Sequence, residues 1–250
     1  MVPHSLALRS IETQPARSAG SGISTLKHKP LAEPAAGIPV VGAGVRTIIP
    51  DSGEWHSLGM SRRLAIAPFL ETLIRTGRAR LVYTEERTST CEEKAQAAGI
   101  SVESTVKALY CKDMYSGSIY ALVVSGKGRV GLSSALSGVE SLDYTPALEL
   151  CAADELPHGM EFGTCSAFIS PEALEGVAMV AIEDPGTPIR GRKGKPTGRT
   201  LGELEADFSI GGTDEKAHHL SVRMGYSEFA DALMAEYGGK AALVPEIKRA

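Results

Sequence analysis

Two short apolar segments joined by a turn sequence place the tightest limit on the fold. The first runs from Thr105 to Cys111 and the second from Ser118 to Val124. Between them lies Lys-Asp-Met-Tyr-Ser-Gly, residues 112–117, whose Asp, Ser and Gly are typical of turns. Segments joined in this way predict a β-hairpin, so part of the fold must be an antiparallel sheet.

Further short segments of both kinds surround this hairpin. Thr90-Cys-Glu-Glu93 has the form of a capping box, because each side chain can accept a bond from the other residue's amide. We expect strands at 80–84, 177–182, 208–210 and 219–224, and helices that begin near residues 68, 90, 145 and 227. This mixed order predicts an α+β fold with a largely antiparallel or mixed sheet.

The first 60 residues differ in composition from the rest. Pro and Gly account for 13 of these 60 residues, against 28 of the other 190, and no helical period persists there. One short apolar run, residues 37–41, is compatible with a strand. We expect a Pro/Gly-rich N-terminal extension over residues 1–62, one domain over 63–240 and a tail over 241–250.

Composition and motifs exclude several classes of protein. The formal net charge of -4 over 250 residues argues against a general nucleic-acid coat. No run of 18 apolar residues and no signal-peptide pattern is present, so we expect a cytoplasmic protein without a membrane-spanning helix. The four cysteines lack zinc-site spacing and no HExxH motif occurs, so we expect neither a metal nor an organic cofactor.

Three features remain as candidate functional groups. Lys107 lies within the apolar segment Val106–Tyr110, where its ammonium group either reaches solvent or binds an anionic ligand. The glycine-rich segment Gly159–Ala167 is either a plain connection or a loop whose amides approach a ligand closely. Residues 190–199 contain five basic residues, three glycines and no acid, which fits a solvated insertion or a contact to nucleic acid.

Taken in order, these segments resemble the YbaK/EbsC family of aminoacyl-tRNA deacylases, whose relatives include the editing insertion of bacterial prolyl-tRNA synthetase. The resemblance extends from about residue 64 to about residue 237. It is most specific in Thr90-Cys-Glu-Glu-Lys-Ala95, similar to T-x-E-E-A-A, and in Val106-Lys-Ala-Leu109, similar to V-K-T/A-L. Residues 159–167 resemble G-Y-x-x-G-G-I-S-P, and residues 209–212 with the following strand resemble the family's C-terminal part.

This resemblance implies a single domain with a mixed, partly barrel-like sheet flanked by helices. It also implies hydrolysis of the ester between an amino acid and the 3′ end of a mischarged tRNA, without a cofactor. Lys107 matches the lysine that positions the terminal nucleotide, and Gly163 matches the loop glycine that offers amides to the substrate carbonyl. The substrate contacts that we expect are Thr105, Thr164, Cys165, Ser166, Ala167 and His219. The tRNA contacts that we expect are Arg190, Arg192, Lys193, Lys195 and Arg199.

The loop departs from the family's pattern where the amino acid should be sensed. Thr164 and Ala167 replace a glycine and a proline, and Cys165 takes an aliphatic position, so the amino acid stays open. Cys165 could also act as a nucleophilic thiol. Of the adjacent His218 and His219, strand alternation lets one face the pocket, and the pattern of apolar neighbours favours His219.

Three functions are compatible with these residues. The first is a deacylase that acts in trans on mischarged tRNA. The second keeps aminoacyl-tRNA as a partner but passes the aminoacyl group to an amine or hydroxyl of a small molecule. The third is a non-catalytic module that binds tRNA or a protein through the basic segment. Ester hydrolysis that depends on Lys107 separates the first from the third, and the chemical nature of the product separates the first from the second.

Overall fold

The computed structural model describes residues 44–249 except 66, 138, 140, 141, 192, 193, 246 and 248. The predicted strand at 37–41 lies outside these residues. The strands are β1 (Val45–Ile48), β2 (Arg80–Thr84), β3 (Thr105–Asp113), β4 (Ile119–Ser125), β5 (Leu148–Leu150), β6 (Val177–Glu183), β7 (Pro188–Arg190), β8 (Pro196–Thr200), β9 (Glu205–Ser209), β10 (Leu220–Gly225) and β11 (Ala241–Val244). The α-helices are α1 (Gly53–Ser57), α2 (Met60–Leu64), α3 (Pro68–Arg75), α4 (Cys91–Ala98), α5 (Pro171–Glu175) and α6 (Tyr226–Tyr237).

Nine strands form one mixed sheet. Its order is β1-β2-β10-β9-β3-β4-β6-β11, and β5 pairs with part of β3. Parallel pairs occur between β3 and β9, β4 and β6, and β6 and β11, whereas the other pairs are antiparallel. Strands β7 and β8 form a separate two-stranded hairpin. The predicted α+β class with a mixed sheet is confirmed.

Local sequence signals explain the best-predicted elements. Pro68 opens α3, and the capping box at Thr90 opens α4, with the Thr90 hydroxyl accepting a bond from the Glu93 amide at 3.1 Å. The central hairpin pairs β3 with β4 from Val106 opposite Ser125 to Lys112 opposite Ile119.

The predicted helix near residue 145 is wrong. Strand β5 lies there instead, because the Asp113 carboxylate holds the preceding segment beside β3. It accepts bonds from the Tyr144 hydroxyl at 2.6 Å and from the Ala147 amide at 3.0 Å. These bonds favour the extended chain over a helical turn.

The folded core extends beyond the limits that composition suggested. Trp55 and Met60 are fully buried in the same apolar cluster as the sheet, and β1 pairs with β2. Residues 45–62, which lie within the expected extension, therefore contribute a strand and most of two helices. Strand β11 lies within the expected tail and pairs with β6. Glycines break these short segments, so their periodicity was too brief to recognise.

A gap in the sheet creates room for a site. Strands β3 and β9 pair through only two residues, Thr105 opposite Asp207 and Val106 opposite Phe208. Beyond Val106 the two strands diverge, and the segment 159–169 lies beside β3, where the Tyr110 hydroxyl donates a bond to the Ser166 carbonyl oxygen at 2.7 Å.

Among the described residues, no helix is long and apolar enough to cross a membrane.

Candidate active site

A cavity of about 520 Å³ lies where β3 and β9 separate. Its wall combines the start of α4, the middle of β3, the turn after β4, the glycine-rich loop and the segment that leads into β10. The residues singled out in the sequence that line it are Lys107, Gly163, Cys165, His218 and His219. Two predicted catalytic groups, Lys107 and Gly163, are therefore brought to one cavity from segments far apart in the chain.

The Lys107 ammonium group is held by the turn after β4. It donates a 2.6 Å bond to the Gly128 carbonyl oxygen and a 3.5 Å bond to that of Gly126. Within the described residues, no carboxylate lies within ion-pair distance of this nitrogen. Burial lowers the pKa of Lys107, because the charged form loses solvation, while the nearby Cys91 thiol opposes that shift. A half-buried cation without a carboxylate in direct contact suits an anionic ligand.

Close packing of the turn against β3 fixes this arrangement. A Cβ atom on Gly126 would lie 1.9 Å from the Thr105 hydroxyl oxygen, so only glycine fits there. The Thr105 hydroxyl donates a bond to the Val102 carbonyl oxygen at 2.8 Å and is fully buried. Thr105, expected as a substrate contact, does not line the cavity and instead supports the turn that holds Lys107.

Gly163 adopts a backbone conformation that disfavours other residues. Its φ is +89°, and a Cβ atom there would lie 3.4 Å from His218 Cε1 and 3.5 Å from the Ser89 carbonyl oxygen. The loop therefore passes close to both neighbours at the cavity wall. The approach of its backbone to a ligand stays a prediction.

The residues after Gly163 anchor the loop. The Thr164 hydroxyl donates to the Gly212 carbonyl oxygen at 2.7 Å, and the Ser166 hydroxyl donates to that of Ser209, also at 2.7 Å. Ala167 is buried in the apolar core. The structure therefore places Thr164, Ser166 and Ala167 behind the cavity wall, whereas they were expected as substrate contacts. Their contribution is to fix the backbone of the loop.

Cys165 lines the cavity as a neutral thiol. Its sulfur donates to the Glu161 carbonyl oxygen at 3.3 Å, and burial raises the pKa of Cys165 to about 11. The thiolate that a nucleophilic cysteine requires is therefore disfavoured at neutral pH. A second thiol, Cys91, lines the cavity at the first residue of α4.

Both adjacent histidines line the cavity, so the expected choice between them does not arise. They lie in the 3₁₀ helix Glu215–His219 that precedes β10, whereas strand alternation had assumed an extended chain. His218 Nε2 lies 2.9 Å from Glu161 Oε1. The His219 ring stacks on Tyr83 with centroids 5.4 Å apart, and its Nδ1 lies 2.8 Å from a backbone oxygen of β2.

A buried charged cluster lies beside the cavity and was not predicted from the sequence. Lys94 Nζ lies 2.7 Å from Asp207 Oδ1, and Arg223 Nε lies 2.7 Å from Asp207 Oδ2. The Ser221 hydroxyl donates to the same Oδ2 at 3.0 Å. These residues belong to α4, β9 and β10, and the only sequence signals were charges inside otherwise apolar strands.

The basic segment forms the β7–β8 hairpin rather than an irregular loop. Arg190 donates to the Gly194 carbonyl oxygen at 3.2 Å, Lys195 is exposed, and Arg199 lies 3.7 Å from the Glu203 carboxylate. The hairpin borders a second cavity of about 260 Å³, which shares Gly128 with the first. Arg192 and Lys193 lie outside the described residues. The expected tRNA contacts in this segment stay a prediction.

Comparisons with known proteins found no family model and no curated protein that matches the chain. Solved structures with a similar fold include a hypothetical protein, with 20% identity and a TM-score of 0.47 over 71% of this chain and 97% of that one. A scaffold protein for computationally grafted epitopes has 22% identity and a TM-score of 0.48, over 74% and 96% of the two chains. A candidate trans-editing enzyme for prolyl-tRNA synthetase has 21% identity and a TM-score of 0.45, over 74% and 96%. At such distances the function has to be argued from the site.

Proposed function

We propose that this protein hydrolyses the ester between an amino acid and the 3′ end of tRNA. The observation that carries the proposal is the presence of Lys107 and Gly163 on one cavity of about 520 Å³. This pair is what the resemblance to the YbaK/EbsC deacylases requires. A cation bonded only to backbone carbonyl oxygens and a tightly turned glycine loop supply the two elements of such a site, an anchor for an anion and a backbone donor near a carbonyl.

The chemistry follows from positioning. The Lys107 ammonium group binds a phosphate or the ribose of the terminal nucleotide, sharing its donors with the Gly128 carbonyl oxygen. That contact leaves the ester beside the loop, where the Gly163 amide stabilises the oxyanion as water attacks the carbonyl carbon. The next amide, that of Thr164, donates instead to the Glu161 carbonyl oxygen at 3.1 Å. The C–O bond to the ribose then breaks, and the ribose oxygen takes up a proton. The high pKa of Cys165, about 11, disfavours an alternative route through an acyl-thioester.

The β7–β8 hairpin is the candidate contact for the body of the tRNA. Its exposed cations Lys195 and Arg199 extend from a hairpin that borders the second cavity, and Gly128 joins that cavity to the Lys107 site. A backbone that contacts this hairpin meets Lys195 and Arg199 outside the second cavity, whose own lining combines Lys127 and Arg249 with Glu103 and Glu183. A chain with a net charge of -4 can therefore still hold the end of an RNA.

The test is a panel of mischarged tRNAs scored for release of the amino acid. We expect turnover on at least one member and a loss of at least about 100-fold in Lys107→Ala, in line with the removal of a positioning contact. The matched control is Lys112→Ala, on the same strand. The Lys112 ammonium group lies outside the cavity and pairs with the Glu155 carboxylate at a distance of 2.5 Å. No turnover on any member, or equal loss in both variants, would contradict the proposal.

A second candidate function is transfer of the aminoacyl group to a small molecule. The observation that favours it is the second cavity of about 260 Å³, which adjoins the first at Gly128 and offers room for an acceptor amine or hydroxyl. Mass spectrometry of the products formed from charged tRNA and a set of acceptors separates the two reactions. A free amino acid as the sole product supports hydrolysis, and an amide or ester of the acceptor supports transfer. Tight tRNA binding without either product would instead favour a non-catalytic module.

A further inference from the structure

The cavity contains a second lysine whose charge the deacylase chemistry does not use. Lys94 lies one turn after Cys91 on α4 and lines the cavity together with the hydroxyl-bearing residues Ser209 and Ser221. Its side chain is 13% exposed. In the proposed function, the nucleotide of the substrate binds at Lys107, which is held by the turn after β4, and Lys94 has no role.

The cluster around Lys94 carries an excess of positive charge. Asp207, with a side chain 1% exposed, lies between Lys94 and Arg223, so one carboxylate faces two cations. Arg223 has a further acceptor in the Ala98 carbonyl oxygen, at 3.4 Å. Buried charges are stable when they are paired, and this cluster lacks one negative charge. An anion that entered the cavity at Lys94 would supply it.

The donors of Lys94 are also incompletely used. Its 2.7 Å approach to Asp207 Oδ1 is an ion pair without the angles of a hydrogen bond, and that oxygen has no hydrogen-bond donor in the described structure. Besides this contact, the ammonium group reaches the Ser209 hydroxyl oxygen at 3.5 Å. With one N–H group directed at Asp207 and one at Ser209, the third N–H group remains available to a ligand in the cavity.

We propose that this end of the cavity selects an acyl group with a side-chain carboxylate, such as aspartyl or glutamyl, which Lys94 binds with help from the Ser209 hydroxyl. The inference rests on the proposed function for the orientation of the substrate. Lys107 contacts the Gly128 turn, on the side of the basic hairpin, whereas Lys94 contacts β9. The nucleotide therefore occupies the first side and the amino acid the second.

Binding of stable substrate analogues tests the selectivity without requiring turnover. The probes are 3′-aminoacylamino-3′-deoxyadenosines that carry Asp, Asn, Glu, Gln or Ala, each with and without a 5′-phosphate, measured by calorimetry. We expect an acidic analogue to bind at least about tenfold more tightly than its amide counterpart, as a charge-assisted hydrogen bond implies. Lys94→Met should remove that difference, while Lys112→Met, the matched lysine outside the cavity, should keep it.

The remaining outcomes are decisive. Equal affinity for acidic and amide analogues, no binding of either acidic analogue, or a Lys94→Met variant that instead loses the effect of the 5′-phosphate would overturn the inference. Cleavage of neutral aminoacyl esters without an acidic preference would overturn it while the deacylase function stands. An acidic preference in binding without ester cleavage would support it while that function fails. Melting temperatures of both variants confirm that each is folded.

Discussion

The ammonium nitrogen of Lys107 lies 2.6 Å from the carbonyl oxygen of Gly128, and this contact joins the middle of β3 to the turn that follows β4. The contact explains how a lysine is tolerated in an apolar strand. Its charge is solvated by backbone carbonyls in place of water, which leaves the side chain over the cavity instead of extended into solvent. Because this arrangement buries the ammonium group, it lowers the pKa of Lys107.

Lys107 should give the stability of the protein an alkaline pH dependence. Burial places its folded-state pKa below 10.5, the ordinary value for lysine. Between those two values the unfolded chain binds more protons, so the free energy of unfolding rises with pH. The penalty for the buried charge is present in full below the folded pKa and disappears as the pH approaches 10.5. Urea unfolding measures the free energy of unfolding of both proteins. The value for the wild type minus that for Lys107→Met should increase as the pH rises from the folded pKa toward 10.5.

Lys112 provides a control, because its pKa is shifted in the opposite direction to that of Lys107. Its hydrogen bond to Glu155 raises the pKa of Lys112, so its stabilising contribution is present below 10.5 and is lost as pH rises through the higher folded value. The difference between wild type and Lys112→Met should therefore stay flat where that of Lys107→Met rises. A flat difference for Lys107→Met as well would contradict the assigned burial of its ammonium group.

Gly163→Ala should impair catalysis more than its backbone strain explains. The φ of +89° costs an alanine about 1–2 kcal/mol, and the new methyl group meets His218 at 3.4 Å. Gly117→Ala, at φ +73° in the β3–β4 turn, imposes the same kind of strain, and the nearest side-chain atom is 4.0 Å away. We expect similar losses of stability in both variants and a drop in ester hydrolysis of at least about tenfold only in Gly163→Ala. Equal activities would show that the loop is not part of the site.

The sequence was most informative where structure depends on neighbouring residues. Pro68 and the pair Thr90–Glu93 marked the starts of α3 and α4, and the turn residues 112–117 predicted the central hairpin, because these signals act within a few residues. The resemblance placed Lys107 and Gly163 at one site, and the cavity brings them together.

The remaining site residues depend on contacts across the sheet. Thr164 and Ser166 lie beside Gly163 in sequence, yet their hydroxyl groups bond to carbonyl oxygens of Gly212 and Ser209 behind the wall. Their proximity in the chain did not reveal which way they face. Lys94 and its partner Asp207 approach each other only when α4 packs near β9, and no local pattern encodes that pairing.

Cys165 should react slowly with alkylating agents near neutral pH. With a pKa of about 11, roughly one thiol in a thousand is a thiolate at pH 8, and the fraction rises about tenfold for each pH unit up to that value. Iodoacetamide labelling followed by peptide mass spectrometry, with free cysteine in the same mixture as the reference, measures this directly. Rapid labelling of Cys165 at pH 7, or an acyl-thioester trapped by acid quench, would restore the nucleophilic thiol as a mechanism.

Asp207 should contribute much of the stability at the base of the cavity. Asp207→Asn leaves Lys94 and Arg223 as two buried cations without a carboxylate, which costs about 3–5 kcal/mol in comparable buried pairs. Glu205→Gln, on the same strand, removes only an exposed partner of Arg80, and such pairs are worth about 0–1 kcal/mol. Adding Lys94→Met to Asp207→Asn removes one unpaired cation, so the double variant should recover part of the lost free energy of unfolding. Urea unfolding of the wild type, of the three single variants Asp207→Asn, Lys94→Met and Glu205→Gln, and of the double variant checks this. Losses in the double variant equal to the sum of its two single losses would show that the two side chains are not coupled.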